Sequence, residues 1–241
     1  MRIFILFFLI SIFTYLQAVE TLGTVLSFKG SVKVKAQSSI KKQRILKGLS
    51  IQPGDLFVSA KNSSVILKLL DGSLVVLDEL SSIHFSSLYD AQQLKGQVLY
   101  KITSRDAKNS LKIKTPFAVI GIKGTTFIIS ATKKDASVKL QEGLIGIASL
   151  NADFELYRKK VQKEFDDYKA RQDAAMQVQL NEFERYKNRQ KKYSTMQKTK
   201  EFDLEAGNTI SFNAQVAKER SFSKDDNAAF DYFTKLINEM N

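Results

Sequence analysis

The 241 residues carry 37 Lys and Arg against 25 Asp and Glu, a formal net charge of +12, and 44% are hydrophobic. That length supports one good core, or one core plus an appendage. The absence of cysteine excludes disulfides, thiolate metal centres and Cys nucleophiles, and a single histidine, His84, excludes most histidine-centred triads.

The chain opens MRIFILFFLISIFTYLQA, with Arg2 ahead of the apolar run Ile3 to Leu16 and a small residue at Ala18. This is the pattern of a cleavable export signal over 1–18, leaving a mature chain that starts near Val19. The run is shorter than the ~20 residues a spanning helix needs. An uncleaved signal anchored in the inner membrane is the alternative. Export without cysteine points to a bacterial periplasm.

From 22 to 150 the apolar period is two. Val32 and Val34 alternate with Lys33 and Lys35, and Leu111 and Ile113 alternate with Lys112 and Lys114. Asp71-Gly72 separates two apolar runs and predicts a two-residue hairpin loop. Further turns are expected at Phe28-Lys29-Gly30, Gln52-Pro53-Gly54-Asp55 and Glu142-Gly143. In TPFAVIGIKGTTFII (115–129), Pro116 is expected to start a strand. Gly121 and Gly124 are expected to bend it from one sheet layer to the next, and Thr125 to hydrogen-bond the bent backbone. An anion-cradling glycine loop beside Lys123 is disfavoured, because Phe127-Ile128-Ile129 continues as strand rather than helix.

Near Asn151 the pattern changes. Phe154 to Lys200 contains no Gly or Pro, and aromatic and aliphatic residues recur there at steps of mostly three and four. The spacing predicts an amphipathic helix, folded as a hairpin or extended as one arm. Residues 202–213 return to strand character around Ala206-Gly207-Asn208, and a short helix is expected over Asp226–Met240. The expected organisation is a signal over 1–18, a β domain over 19–150, a helical insertion over 151–200, and a returning strand with a C-terminal helix over 201–241. The fold class is mainly β, multi-stranded, antiparallel and wrapped as a solenoid or sandwich. Replacing 153–200 by a short linker is expected to leave the β domain folded.

Gly54-Asp55-Leu56-Phe57-Val58-Ser59, Asp71-Gly72-Ser73, the stretch Thr115 to Phe127, Glu142-Gly143 and Leu204-Glu205-Ala206-Gly207 occur in that order. Together they resemble the FecR domain, a periplasmic module first named in iron-transport regulation. The resemblance implies structural roles for Gly54, Asp55, Asp71, Gly72, Thr115, Pro116, Gly121, Lys123, Gly124, Thr125, Glu142, Gly143 and Gly207. Lys123 stands where the family usually has Arg, which keeps the charge without the fork geometry. Founding members restrain a sigma factor through a cytoplasmic segment. A chain that opens on an export signal is better compared with stand-alone exported FecR-domain proteins.

Chemistry is sparse. His84 alternates with Ile83 and Phe85 and faces away from them, while Asp78-Glu79 and Asp166-Asp167 are adjacent residues that diverge in direction. No enzyme, metal or cofactor is expected. The helical segment carries a basic strip, Arg185, Lys187, Arg189, Lys191 and Lys192, that suits an anionic partner or pairs internally. The expected function is a non-enzymatic binding or assembly module of the cell envelope. The alternatives are a signalling component acting through a membrane partner, or a peptidoglycan- or carbohydrate-binding module. The expected partner is an envelope or membrane protein, with an anionic glycan or lipid surface next and nucleic acid disfavoured.

Overall fold

A computed structural model of the chain describes residues 20–103, 110–122, 124–150, 152–158 and 196–240. In chain order the strands begin with β1 (Gly23–Lys29), β2 (Val32–Lys35), β3 (Gln43–Arg44), β4 (Ser50–Ile51), β5 (Leu56–Ser59) and β6 (Ser64–Leu69). They continue with β7 (Leu74–Leu77), β8 (Ser82–Ser87), β9 (Asp90–Lys101), β10 (Leu111–Lys114), β11 (Ala118–Ile122) and β12 (Thr126–Ala131). Then come β13 (Ala136–Glu142), β14 (Leu144–Ser149), β15 (Phe154–Tyr157), β16 (Met196–Thr199), β17 (Glu201–Glu205), β18 (Asn208–Phe212) and β19 (Val216–Ser221). Helix α1 (Lys224–Met240) follows.

The strands form two layers. One sheet runs β4-β1-β6-β7-β9-β12-β13-β18-β19-β15-β16. The other runs β3-β2-β5-β8-β9-β10-β11-β14-β17. Neighbours are antiparallel except β9–β10 and β15–β19. Strand β9 serves both sheets, its first half pairing with β8 and β10 and its second with β7 and β12. The change of layer falls at Gly96, at φ +86°. A Cβ there would meet Ser81 Cα at 2.4 Å, so the corner admits no side chain.

Alternation fills the space between the layers. Val32, Val34, Leu111 and Ile113 point inward while Lys33, Lys112 and Lys114 are exposed. Tyr100 and Phe127 are paired cross-strand and stack at 4.9 Å. The buried Tyr100 hydroxyl donates to Gln93 Oε1 (2.9 Å), and Gln93 Nε2 donates to the Gly96 and Ile129 carbonyls (2.9 and 3.1 Å). These two residues of β9 thus clamp the corner between them. Burial pushes the Tyr100 phenol well above its ordinary pKa.

A second apolar cluster lies on the outer face of the first sheet. Ile66, Val76, Leu99 and Ile128 are successive cross-strand neighbours on β6, β7, β9 and β12, and Phe230, Phe233 and Leu236 of α1 cover them. The helix crosses the strands from Lys139 and Arg220, which pair with Asp226, to Ser27 on β1, which donates to the Met240 carbonyl. Asp226 to Met240 is ~21 Å of helical rise. From β13 to β1 is five strand spacings, ~24 Å. Helix length and sheet width match.

Three expectations are corrected. Phe154–Tyr157 and Met196–Thr199 are paired strands rather than helix, and Phe154 and Leu156 are core residues. The helical steps from Phe154 to Tyr157 and on to Val161 concealed a four-residue alternation, Phe154 and Leu156 inward against Glu155 and Tyr157. No long amphipathic helix occurs among the described residues; the rest of that expectation, over 159–195, lies outside them. The Asp71-Gly72 hairpin has a three-residue loop, Leu70 to Gly72, in which the Gly72 N–H donates to the Leu69 carbonyl (3.0 Å) and only Gly72 has positive φ. Three-residue loops of this kind need one left-handed residue, where a type I′ loop needs two. Finally, Pro116 starts no strand: it sits in the turn joining β10 to β11, where the Thr115 N–H donates to the Ala118 carbonyl (2.8 Å) and Thr115 Oγ1 accepts from the Ala118 N–H (3.1 Å). Proline suits the second position of a turn because its φ is already fixed there.

Candidate functional site

The chain passes between layers repeatedly, and the passages at one end of the sandwich fall on the signature residues. Pro53 and Gly54 carry it from β4 to β5, Gly124 from β11 to β12, Gly143 from β13 to β14, and Gly207 from β17 to β18. The Asp71-Gly72 hairpin lies at the same end. Gly54, Gly72, Gly124, Gly143 and Gly207 all have positive φ. A sheet end that must turn this sharply and often selects glycine, which accounts for the dispersed glycine pattern of the sequence.

The acidic residues of the rim are tied into it. Asp55 Oδ2 accepts from the Gln52 N–H (2.9 Å), and the Asp55 N–H donates to the Gln52 carbonyl (3.1 Å). Burial raises the Asp55 carboxyl, opposed by the Gln52 hydrogen bond and the charge of His84. Asp71 accepts from the Ser73 N–H and hydroxyl (3.1 and 2.8 Å), while Thr103 Oγ1 donates to the Asp71 carbonyl (3.1 Å). The Thr103 N–H donates to Ser73 Oγ (3.1 Å), tying the β6–β7 turn to the end of β9.

Between this turn and the Gly124 passage lies a cavity of about 280 Å³, lined by Gly72, Leu74, Ile102, Thr103, Thr125 and Glu142 among others. Lys101 and Thr126 complete its polar margin, and Thr126 Oγ1 donates weakly to Glu142 Oε2 (3.4 Å). Thr125 is 4% exposed, yet its hydroxyl has no hydrogen-bond partner. The expected bond to the bent backbone is absent because Thr125 Cγ2 is packed against the glycine at 143. Such a group costs free energy until something pairs with it.

Not all signature residues gather here. Thr115 and Pro116 lie at the opposite end. Gly121 is inside β11, paired with Gly146 and outside the left-handed region, so Gly124 carries the bend without it. Lys123 and the strip Arg185, Lys187, Arg189, Lys191 and Lys192 lie outside the described residues. His84 is partly exposed beside Leu56, with Ile83 and Phe85 buried on the other face. Asp78 accepts from the Tyr232 hydroxyl (2.7 Å) and Glu79 from the Asn62 N–H (2.6 Å), so both acids of that pair serve the fold. Sequence reasoning missed Lys101, Ile102 and Thr103. Only the β7–β9 and β9–β12 pairings bring them to the rim, and no local spacing marks them.

The described residues thus form a two-layer β sandwich with glycine passages along one rim. Residues 55–146 match the model of the family described as FecR protein. No curated protein matches the chain. Two solved structures are similar to it, crystal structures at 1.65 and 2.50 Å of a "putative anti-sigma factor" from Parabacteroides distasonis ATCC 8503. Each is 10% identical, with TM-scores of 0.47 and 0.44 and coverage of 73% and 69% of this chain. The chain spans 63% and 59% of their lengths.

Proposed function

We propose that this protein is a non-enzymatic FecR-type module of the cell envelope that works by binding an envelope or membrane protein at the signature rim. The observation that carries the proposal is the cavity beside Gly124, lined by Thr125, whose buried hydroxyl is unpartnered, and bordered by Lys101 and Glu142. A hydroxyl so placed, flanked by one charge of each sign, suits a polar peptide group and recruits no reaction chemistry. The FecR match over 55–146 favours a regulatory role, with the module passing an envelope state to its partner. Periplasmic residence is part of the same proposal, supported by the FecR match over 55–146 and by the export signal expected at 1–18.

The test is a crosslinking pull-down from envelope extract with the wild-type chain and with Lys101→Glu/Glu142→Lys. The proposal expects a partner that the wild type retains and the double variant loses at unchanged melting temperature. Recovery of the same partner by both proteins, or of none by either, contradicts it.

A further inference from the structure

From Thr21 to Gly54 the sequence has seven basic residues and no acidic one: Lys29, Lys33, Lys35, Lys41, Lys42, Arg44 and Lys47. The structure lays the middle of this stretch along one margin of the sandwich. Strand β2 ends at Lys35 opposite Leu56, β3 returns alongside it, and the tip between them projects past the signature rim. At the tip stands Ile40, 95% exposed, and after β3 comes Leu46, 71% exposed.

An aliphatic side chain so exposed on a small ordered turn is not a packing accident of a loose loop. Ser39 holds the turn: its N–H donates to the Ala36 carbonyl (3.0 Å), its hydroxyl donates to the Lys41 carbonyl (2.9 Å), and Oγ accepts from the Lys41 N–H (3.2 Å). Ile45, 2% exposed, pins the returning strand to the core, so Lys42, Gln43 and Arg44 stay outside. The chain also enters the fold on this margin, where the Leu22 N–H donates to the Ile51 carbonyl (2.7 Å) beside β4.

We infer that the segment Ala36–Gly48 docks on an anionic phospholipid surface, with Ile40 inserted at the interface and the surrounding lysines over the headgroups. Three features favour a bilayer over an acidic protein. The surface is a convex tip, where a protein partner asks for a shaped groove. The charges of the segment are Lys41, Lys42, Lys47 and Arg44, with Lys33 and Lys35 on the adjoining strand, mostly point charges without the fork that reads a particular carboxylate. And the most exposed side chain is apolar and central to the charges, the arrangement of interfacial elements that combine aliphatic insertion with attraction to anionic lipid. Each basic side chain near such a surface contributes roughly fivefold in binding. This surface is separate from the cavity at Thr125, so failure of one proposal leaves the other standing.

The test uses the exported form of the chain, starting near Val19, co-sedimented with vesicles of phosphatidylglycerol in phosphatidylcholine and with phosphatidylcholine alone. Binding is expected to the anionic vesicles only and to fall as salt rises. Ile40→Asp is expected to weaken it at least about tenfold, and Lys41→Glu/Lys42→Glu at least about 25-fold, with circular dichroism unchanged. Absence of binding to anionic vesicles overturns the inference. So does binding that Ile40→Asp leaves intact, or equal capture by a soluble acidic polymer that depends on the lysines but not on Ile40.

Discussion

At Gly124 the backbone takes φ +102°, a conformation a β-branched residue reaches only under strain, while Gly121 sits in ordinary strand geometry with Gly146 O 3.9 Å from where its Cβ would be. Gly124→Val is therefore expected to cost at least ~1–3 kcal/mol. Gly121→Ala should change stability by less than ~1 kcal/mol. Thermal melts of the two variants check this, and equal shifts would contradict the single-glycine passage. Thr125 gives the opposite sign. Removing an unpartnered buried hydroxyl is neutral or mildly stabilising, so Thr125→Val should hold or raise the melting temperature while reducing capture of the partner. The unequal roles of the two glycines were not legible in the sequence, where both lie in the same apolar run. Only the pairing of Gly121 with Lys112 and Gly146 distinguishes them.

At the scale of elements, α1 is held at its start by one carboxylate. Ser223 caps the helix, and Asp226 at its third position accepts back from the Ser223 N–H (2.7 Å) and hydroxyl (2.9 Å), while pairing with Arg220 and with Lys139 (3.4 Å). Burial alone would raise this carboxyl, but the Arg220 and Ser223 hydrogen bonds outweigh it and hold Asp226 well below the usual carboxylate range. A depressed carboxyl contributes stability that is fully present above its unfolded value of about 4 and is lost as pH falls through the lower folded value. Asp226→Asn should lower stability by about 1–3 kcal/mol at neutral pH. The gap between variant and wild type should begin to narrow below about pH 4 and keep narrowing as pH falls further, in melts followed by circular dichroism; a constant gap would assign the effect to packing.

The hairpin β15–β16 carries a second prediction at this scale. Tyr157 and Met196 are cross-strand partners, so the described residues on either side of 159–195 are already adjacent. Excising 159–195 and closing the hairpin with a short turn should leave the sandwich folded, since loop length changes closure entropy by only ~1 kcal/mol. Excising 153–200, the boundary the amphipathic pattern suggested, should unfold it. That cut removes two strands and Phe154, which packs on Phe202 and Phe212 at 5.9 Å each. Truncating a buried phenylalanine alone costs ~3–5 kcal/mol. The alternating lysines made most of the β domain legible, and Phe230, Phe233, Leu236 and Ile237 marked the helix. A four-residue strand such as Phe154–Tyr157 offers too few alternations to stand out against a longer helical stripe.

Over the whole molecule, the FecR match ends at residue 146, yet β17 to β19 extend both sheets and α1 seals the outer apolar row, so the later segments complete the body around the matched stretch. Most of the signature glycines fall at one end of the sandwich, where they carry the chain between layers, and that convergence makes the end the proposed contact surface. The most direct test places a photo-crosslinking amino acid at Lys101, on the rim, or at Lys134, in the β12–β13 turn at the opposite end, in cells expressing the full chain. The account predicts a discrete protein adduct from position 101 and none from 134. Adducts of the same kind from both ends, or from 134 alone, would contradict it.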